Sequence, residues 1–556
     1  AGVDLMGDEV RLTVGTDIGS TTNAVDTTIA DLSARSTSGS IYLSETDGLN
    51  VGQIAAISVN RVDTDATTSA KADNTTQEDL FTGSNGNIYV SAGSMSLDGG
   101  SDTTALTATG SGNVLLTTTT GAITIDDAIN AGTGHITVDA KTDINQNANV
   151  STAGTATIDY RAQDGDITMA DTAITLTNGG DINFEAGTDI AVSAIFSNGD
   201  TQGDVRVNAG GSITDAGDTF TDIVGSGLLI TAATGTGTSG NALDTSIVTL
   251  TSSSGSGGAF ITDSDDFTIT SVTVDTNRVQ SDGTADAQSS TQHDVVGTSG
   301  DVVLKGEDIV VEDGDDADSK GVEITGSGDL TLEASNELTL NTAVSTNSGD
   351  LTLTATADDV NLNSSVSSNG GAISVTSGAD ILSHADSTVD STSTADTGTI
   401  TMTATDNITA DEMSSDGNIT LIATNTAITF NDTINSESGL IIASAGTSIT
   451  QVSGATITTA STGGVVLSAG TGSVSSSATI TSSGTGNIRI SSTGSDVDLN
   501  ANVDAGSGHI SVVATSGTLT QAADLTTTST GTVDVEGNAV AMNDGTTTSS
   551  GSGNIR

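Results

Sequence analysis

The sequence predicts an all-β fold, a parallel right-handed β-helix with about 22 residues per coil. Three observations carry that prediction. A Gly-x-apolar signature recurs at near-constant spacing along the chain. Within each repeat, apolar and polar residues alternate in short pulses, the period of a strand with one buried face. The 556 residues contain no Pro, so every residue keeps a backbone N–H for a hydrogen-bond ladder.

Residues 486–510 show the unit most clearly. They open on Gly486-Asn487-Ile488 and close by starting again at Gly508-His509-Ile510. Between lie three apolar pulses, Ile488/Ile490, Val497/Leu499 and Val503. Gly, Ser, Asn and Asp separate the pulses, and these are turn residues.

In chain order, residues 1–38 read as an irregular segment with one strand at 10–14. An ordered block begins at Gly39-Ser40-Ile41 and is interrupted by a polar excursion over 60–85. From Gly86-Asn87-Ile88 the apolar anchors fall at Val114, Ile136, Ile158, Ile182, Val205 and Leu229, stepping by 22–24 residues. After a gap they resume at Val302, Leu330, Leu351, Ile373, Ile400, Ile419 and Ile441. Val465 or Val466, Ile488, Ile510, Val533 and Ile555 complete the series. A period of about 20–50 residues signals a solenoid. Three strand pulses with no helical pattern make each period one coil, and 20–25 coils are expected. Equivalent strands then stack about 4.8 Å apart, and the right hand follows the general crossover preference.

A longer repeat overlies the coils. Asn60-Arg61-Val62 matches Asn277-Arg278-Val279, Gln77-Glu78-Asp79-Leu80 matches Gln292-His293-Asp294-Val295, and Gly86-Asn87-Ile88 matches Gly300-Asp301-Val302. The expected organisation is therefore an N-terminal segment 1–38, then two superunits. One covers 39–257, with a side loop near 60–85, and the other 258–475, with a side loop near 279–299. Residues 476–556 continue the coils. The chain starts at Ala1-Gly2-Val3-Asp4 and stops at Gly553-Asn554-Ile555-Arg556 as a new unit begins, which reads as a processed product or a segment of a longer protein.

Composition narrows the function classes. Acidic residues number 71 against 12 basic ones, a net charge of −59. Nucleic acid is thereby excluded as an expected partner, because phosphate binding needs basic patches. Anionic membrane surfaces are disfavoured for the same reason. The acidity suits a solubilising surface or surroundings rich in salt or calcium. There is no Cys, so no disulfide staple and no thiolate metal site. No apolar run approaches the roughly 18 residues of a membrane span, and no membrane insertion is expected.

The segment Gly134-His135-Ile136-Thr137-Val138-Asp139-Ala140, followed by Asp143-Ile144 and Ala148-Asn149-Val150, resembles giant bacterial surface proteins with β-strand repeats, the filamentous-haemagglutinin-like adhesins. The resemblance covers roughly 85–555 and carries architecture more than function. It implies an extracellular stalk or filament segment at a cell surface. Gly-Gly-x-Gly-x-Asp calcium repeats are absent.

Parallel β-helices also include polysaccharide-active enzymes, so acid pairs require scrutiny. They occur at Asp126-Asp127, Asp265-Asp266, Asp315-Asp316 and Asp358-Asp359. A carboxylate pair can serve glycoside chemistry, but these sit in different contexts and read as turn acids. Of the four His, His135 and His509 occupy the same repeat position and are expected on the surface; His293 and His384 complete the set. Calcium is the ligand the acidic loops suit best. Asp313, Asp315, Asp316 and Asp318 crowd around Gly314 and are the expected calcium ligands, although Ala317 breaks the EF-hand spacing. A smaller acidic cluster holds Asp263, Asp265 and Asp266. A flat Thr face for ice binding is excluded, because the outward series Thr137, Asn183, Arg206, Thr331, Thr352, Ser374, Thr401, Thr420, Arg489, Ser511 and Asp534 is interrupted.

The expected function is a non-catalytic structural or adhesive β-helical segment, extracellular or at the cell surface. Unpaired strand edges at solenoid ends favour self-association or an end-to-end parent chain. Surface glycans or other surface proteins are further expected partners, through the side loops, while Tyr42 and Tyr89 read as readily as core or turn residues as sugar-stacking rings. The alternatives are a calcium- or carbohydrate-binding module and a polysaccharide-active enzyme.

Overall fold

The structure is a computed structural model that describes residues 2–556, except 73–74, 218–219, 386 and 395–397. It is a parallel β-solenoid with no helix among the described residues, with 54% of residues in strands and about 23 turns of about 23 residues each. No helix among the described residues is long and apolar enough to cross a membrane.

The coil forms because alternation gives each strand one apolar face and glycine lets neighbouring coils meet. One coil carries strands Ile136–Ala140, Ile144–Gln146 and Val150–Ser151. The next places Ile158 on Ile136, Asp159 on Thr137 and Tyr160 on Val138, all parallel. Ile167 stacks on Ile144 in the second strand. Positions one and three point inward and are fully buried, as Ile136, Val138, Ile158, Tyr160, Ile182 and Phe184 show. The Tyr160 and Phe184 rings stack at 4.6 Å and 9°. Position five is small, as Ala140, Ala162 and Ala186 show. The glycine before each first strand is a close-approach residue: a Cβ on Gly134 would lie 1.9 Å from the Gly112 carbonyl oxygen.

Contacts divide the chain into two compact units, 1–264 with 271–292, and 265–270 with 293–556. In the first, the inward column runs Ile88, Val114, Ile136, Ile158, Ile182, Val205, Leu228. In the second it runs Val302, Leu330, Leu351, Ile373, Ile400, Ile419, Ile441, Val465 and Ile488, with Ile510 and Val533 beyond.

Several expectations need adjustment. The first 38 residues, read as irregular, hold the long parallel strands Leu5–Val14 and Val25–Ser36, whose pairing starts at Leu5 on Thr27. Their alternation is blurred by outward Met6, Gly7 and Asp8, which hid the pattern. Leu228, not Leu229, takes the inward column, and Val465 rather than Val466 does so in the second unit. The two side loops are antiparallel hairpins, Ser58–Val62 with Thr68–Ala72 and Val272–Val279 with Ala285–Gln292. We call them the first and second arms.

Candidate functional site

Polar side chains of the coils form ladders between turns. Ahead of the second strand, Asp143 Oδ1 accepts the backbone N–H of Asp166, Asp166 accepts that of Asp189, and Asp189 that of Ser212. In the second unit Asp301 accepts from Asp329, Asp329 from Asp350 and Asp350 from Ala372. Carboxylates therefore stack one above another, each held by the next coil's backbone. Acid-pair members also accept backbone N–H groups: Asp266 from Asp308 and Asp359 from Asp380 on the next coil, and Asp127 from Gly99 on the preceding one.

Histidine plays the same part. His135 Nδ1 accepts the Thr157 N–H at 3.0 Å, and His509 Nδ1 accepts the Thr532 N–H at 3.0 Å. Accepting at Nδ1 needs the neutral ring, and burial holds the His135 pKa below its ordinary value. His135 was expected on the open surface; it is half-buried as a ladder member.

The second arm lies across successive coils of the first unit, from Asn113 to Thr251. Its base is pinned by Gln292, whose Oε1 accepts from Thr231 Oγ1 and whose Nε2 donates to the Ile230 carbonyl and Thr251 Oγ1. The arm's own N–H groups then find outward oxygens coil by coil. Asp275 N donates to Asp181 Oδ2 at 2.7 Å, Asn277 N to Thr157 Oγ1 at 2.9 Å and Val279 N to Thr137 Oγ1 at 2.8 Å. At the tip, Asn113 Nδ2 donates to the Gly283 carbonyl. Val272 and Val274 bury outward Leu229, and all three are at most 3% exposed. Tyr42, weighed as a sugar-stacking ring, is 5% exposed, and a Cβ on tip residue Gly283 would lie 3.0 Å from its hydroxyl.

One ion pair fixes the arm's register. Arg278 Nε lies 2.6 Å from Asp159 Oδ2 and Nη2 lies 3.3 Å from Oδ1. Asp159 is fully buried and also accepts from Asn183 Nδ2 at 2.7 Å. Asn183 Oδ1 in turn accepts from Arg206. The hydrogen bond to Asp159 raises the Arg278 pKa. A polar cavity of about 120 Å³, lined by Asn183, Glu185, Arg206 and Arg278 among others, remains under the arm.

Carboxylates converge at the foot of each arm. Glu78, Asp79 and Asp102 form one group, and Asp294, Asp316 and Asp318 the other, with facing oxygens within 4.8 Å in each. Asp79 and Asp294, matched in the long repeat, both turn through left-handed backbone at φ 69° and 58°. Burial, then repulsion from Asp102, Glu78 and Asp127, pushes Asp79 up to about 7, against the pull of Arg35. Burial, then Asp316, pushes Asp294 up to about 6. Of the four expected calcium ligands, the structure gathers Asp316 and Asp318; Asp313 instead accepts the Ser319 N–H, and Asp315 lies outside the group. Asp294 was missed. Its signal was present, since it is the Asp of the repeated Gln-x-Asp-apolar motif.

No family model, curated protein or solved structure matches the sequence or the fold.

Proposed function

We propose that this chain is a structural or adhesive segment of a bacterial surface protein, working outside the cell without catalysis. The observation that carries this reading is the use made of its polar residues. Turn carboxylates, amides and imidazoles accept backbone N–H groups of the next coil, so the chemistry-bearing side chains are employed in cohesion. The resemblance of residues 134–150 to β-strand-repeat adhesins supports the extracellular placement.

The test exposes the full chain to panels of neutral and acidic polysaccharides, measuring released reducing ends and binding together. The structural reading expects no turnover. Any sustained turnover would overturn it in favour of a polysaccharide-active enzyme; saturable binding without turnover is the adhesive form.

A second reading is supported by the two carboxylate groups at matched places. Each offers three carboxylates to a hard cation, and calcium takes about six to eight oxygens. Asp294, Asp316 and Asp318 would hold the ion, with backbone oxygens and water completing the shell. Millimolar calcium should then raise the melting temperature of the chain, and Asp316→Ala with Asp318→Ala should remove most of the gain. Equal melting in calcium and chelator would sink this reading.

A further inference from the structure

The third strands of the first unit carry a feature that the repeat does not need. Their outward positions hold Ile174 and Leu176 in one coil, Ala194 and Phe196 in the next, and Val224 in the one after. These stack in register, Ile174 on Ala194, and Leu176 on Phe196 on Val224. All are partly exposed. Counted from Ile88 and from Val302, the matching coils of the second unit place Thr388, Asp390, Glu412, Ser414 and Asn435 there. Stacking therefore tolerates polar and charged side chains at these positions, and cohesion of the coils does not explain the apolar strip.

Beside the strip runs an open groove of about 570 Å³, within the range of about 300–1,000 Å³ usual for ligand sites. It follows the ends of the third strands over successive coils, from Asn130 to Asn198, and Leu176 belongs to both groove and strip. On a chain of net charge −59, its lining includes no charged residue. Three amides reach it with bonding capacity to spare. Asn130 Oδ1 accepts from Ser151 Oγ at 2.8 Å, and its Nδ2 bonds no described residue. Asn178 and Asn198 are exposed, and neither side chain bonds a described residue. They follow the paired Thr177 and Ser197, so they hold equivalent places on successive coils. Each leads into a glycine at positive φ, Gly179 at 106° and Gly199 at 132°. By contrast, the Asn183, Asn341 and Asn363 amides are each tied to another coil.

We propose that this groove binds a neutral oligosaccharide, with Asn130, Asn178 and Asn198 bonding its hydroxyls and Leu176 and Phe196 carrying a ring face. A free amide offers a donor and an acceptor side by side, which suits neighbouring hydroxyls of a sugar. The aliphatic and aromatic side chains supply the apolar surface on which the C–H face of a sugar ring packs. The uncharged lining gives an acidic sugar no cation to pair with. The strip, a few partly covered side chains, falls short of the roughly 800 Å² per partner of a stable protein interface, which favours a compact ligand. The proposal rests on the adhesive form of the reading above and gives that form a site.

The test screens the full chain against immobilised neutral oligosaccharides of glucose, galactose, mannose and N-acetylglucosamine, with galacturonate oligomers as acidic controls. At least one neutral sugar should bind saturably. Asn178→Ala with Asn198→Ala, and separately Leu176→Asp with Phe196→Ser, should each weaken that binding about tenfold or more, with circular dichroism and melting unchanged. The second pair installs the residues that the second unit carries at the same places, so the coils should accept it. Binding of no neutral sugar, or of galacturonates alone, overturns the proposal and leaves the structural reading standing. Binding that both pairs of variants leave untouched overturns the site and keeps the adhesive form. Self-association of the wild type in sedimentation velocity, lost in Leu176→Asp with Phe196→Ser, would assign the strip to a second copy and also overturn the proposal. Turnover of the bound sugar would bring down the structural reading and this proposal with it.

Discussion

Arg278 and Asp159 lie 119 residues apart and meet in a two-pronged ion pair, with the carboxylate fully buried. The pair turns a hairpin that could swing in solvent into part of the first unit's wall. A buried carboxylate left without its cation costs about 3–5 kcal/mol. Arg278→Ala should therefore release the second arm while the coils stay folded. Hydrogen exchange should rise across 272–292 and at Thr137 and Thr157, and stay protected in strands such as Ile400–Ala404. Unchanged exchange in the arm would show that its apolar contacts suffice.

Glycine ladders set a steric limit that can be tested in pairs. Gly134→Ala places a Cβ against the Gly112 carbonyl and should cost about 2–3 kcal/mol, the scale of overpacking. Gly7→Ala meets nothing within 4 Å and should change stability by less than about 0.5 kcal/mol. Equal denaturant midpoints for the two variants would contradict the ladder.

The narrow core leaves little room to relax. Phe184 stacks on Tyr160 and is fully buried. Phe184→Ala should lose about 3–5 kcal/mol, read as a lowered melting temperature, whereas Phe220→Ala, at a side chain 75% exposed, should not.

Acidity should strengthen this acidic protein. Asp79 at about 7, and Asp204 and Asp294 at about 6, stand above the ordinary value near 3.8. The folded state then binds more protons than the unfolded state between those values, so stability falls as pH rises through that window. Asp65 and Asp282 are shifted the other way, chiefly by hydrogen bonds to Thr67 and Thr284, so their contribution is lost as pH falls below the ordinary range. Denaturant midpoints should decline from about pH 5 to pH 7, and Asp79→Asn should flatten the upper part of that decline. A midpoint rising through the window would refute it.

Local signals made the coils legible. Gly-x-apolar spacing identified Ile136, Ile158 and Ile182 as one inward column because each strand's pattern depends on its own alternation. Leu228-Leu229-Ile230 defeated that rule. Both faces of this strand are covered, the inner by the coil and the outer by the arm, so alternation vanishes. The arm's docking was illegible for a different reason: Thr137, Thr157 and Asp181 meet it across 94 to 142 residues. The trace it left was Asp159, a charge that breaks an outward Thr and Asn series. The acidic groups were half legible, since Asp316 and Asp318 are close in sequence while Asp294 arrives only when the coil returns.

Stacked coils tolerate changes in number, because each presents the next with the same hydrogen-bonding edge. The second arm removes that freedom over the stretch it crosses. Its amides meet oxygens on successive coils from Asp181 to Thr137, while its base is tied at Thr231. Gaining or losing one coil in between would put Arg278 opposite the wrong side chain. The arm thus acts as a gauge of length: duplication can extend the solenoid elsewhere, but under the arm the number of turns is held constant.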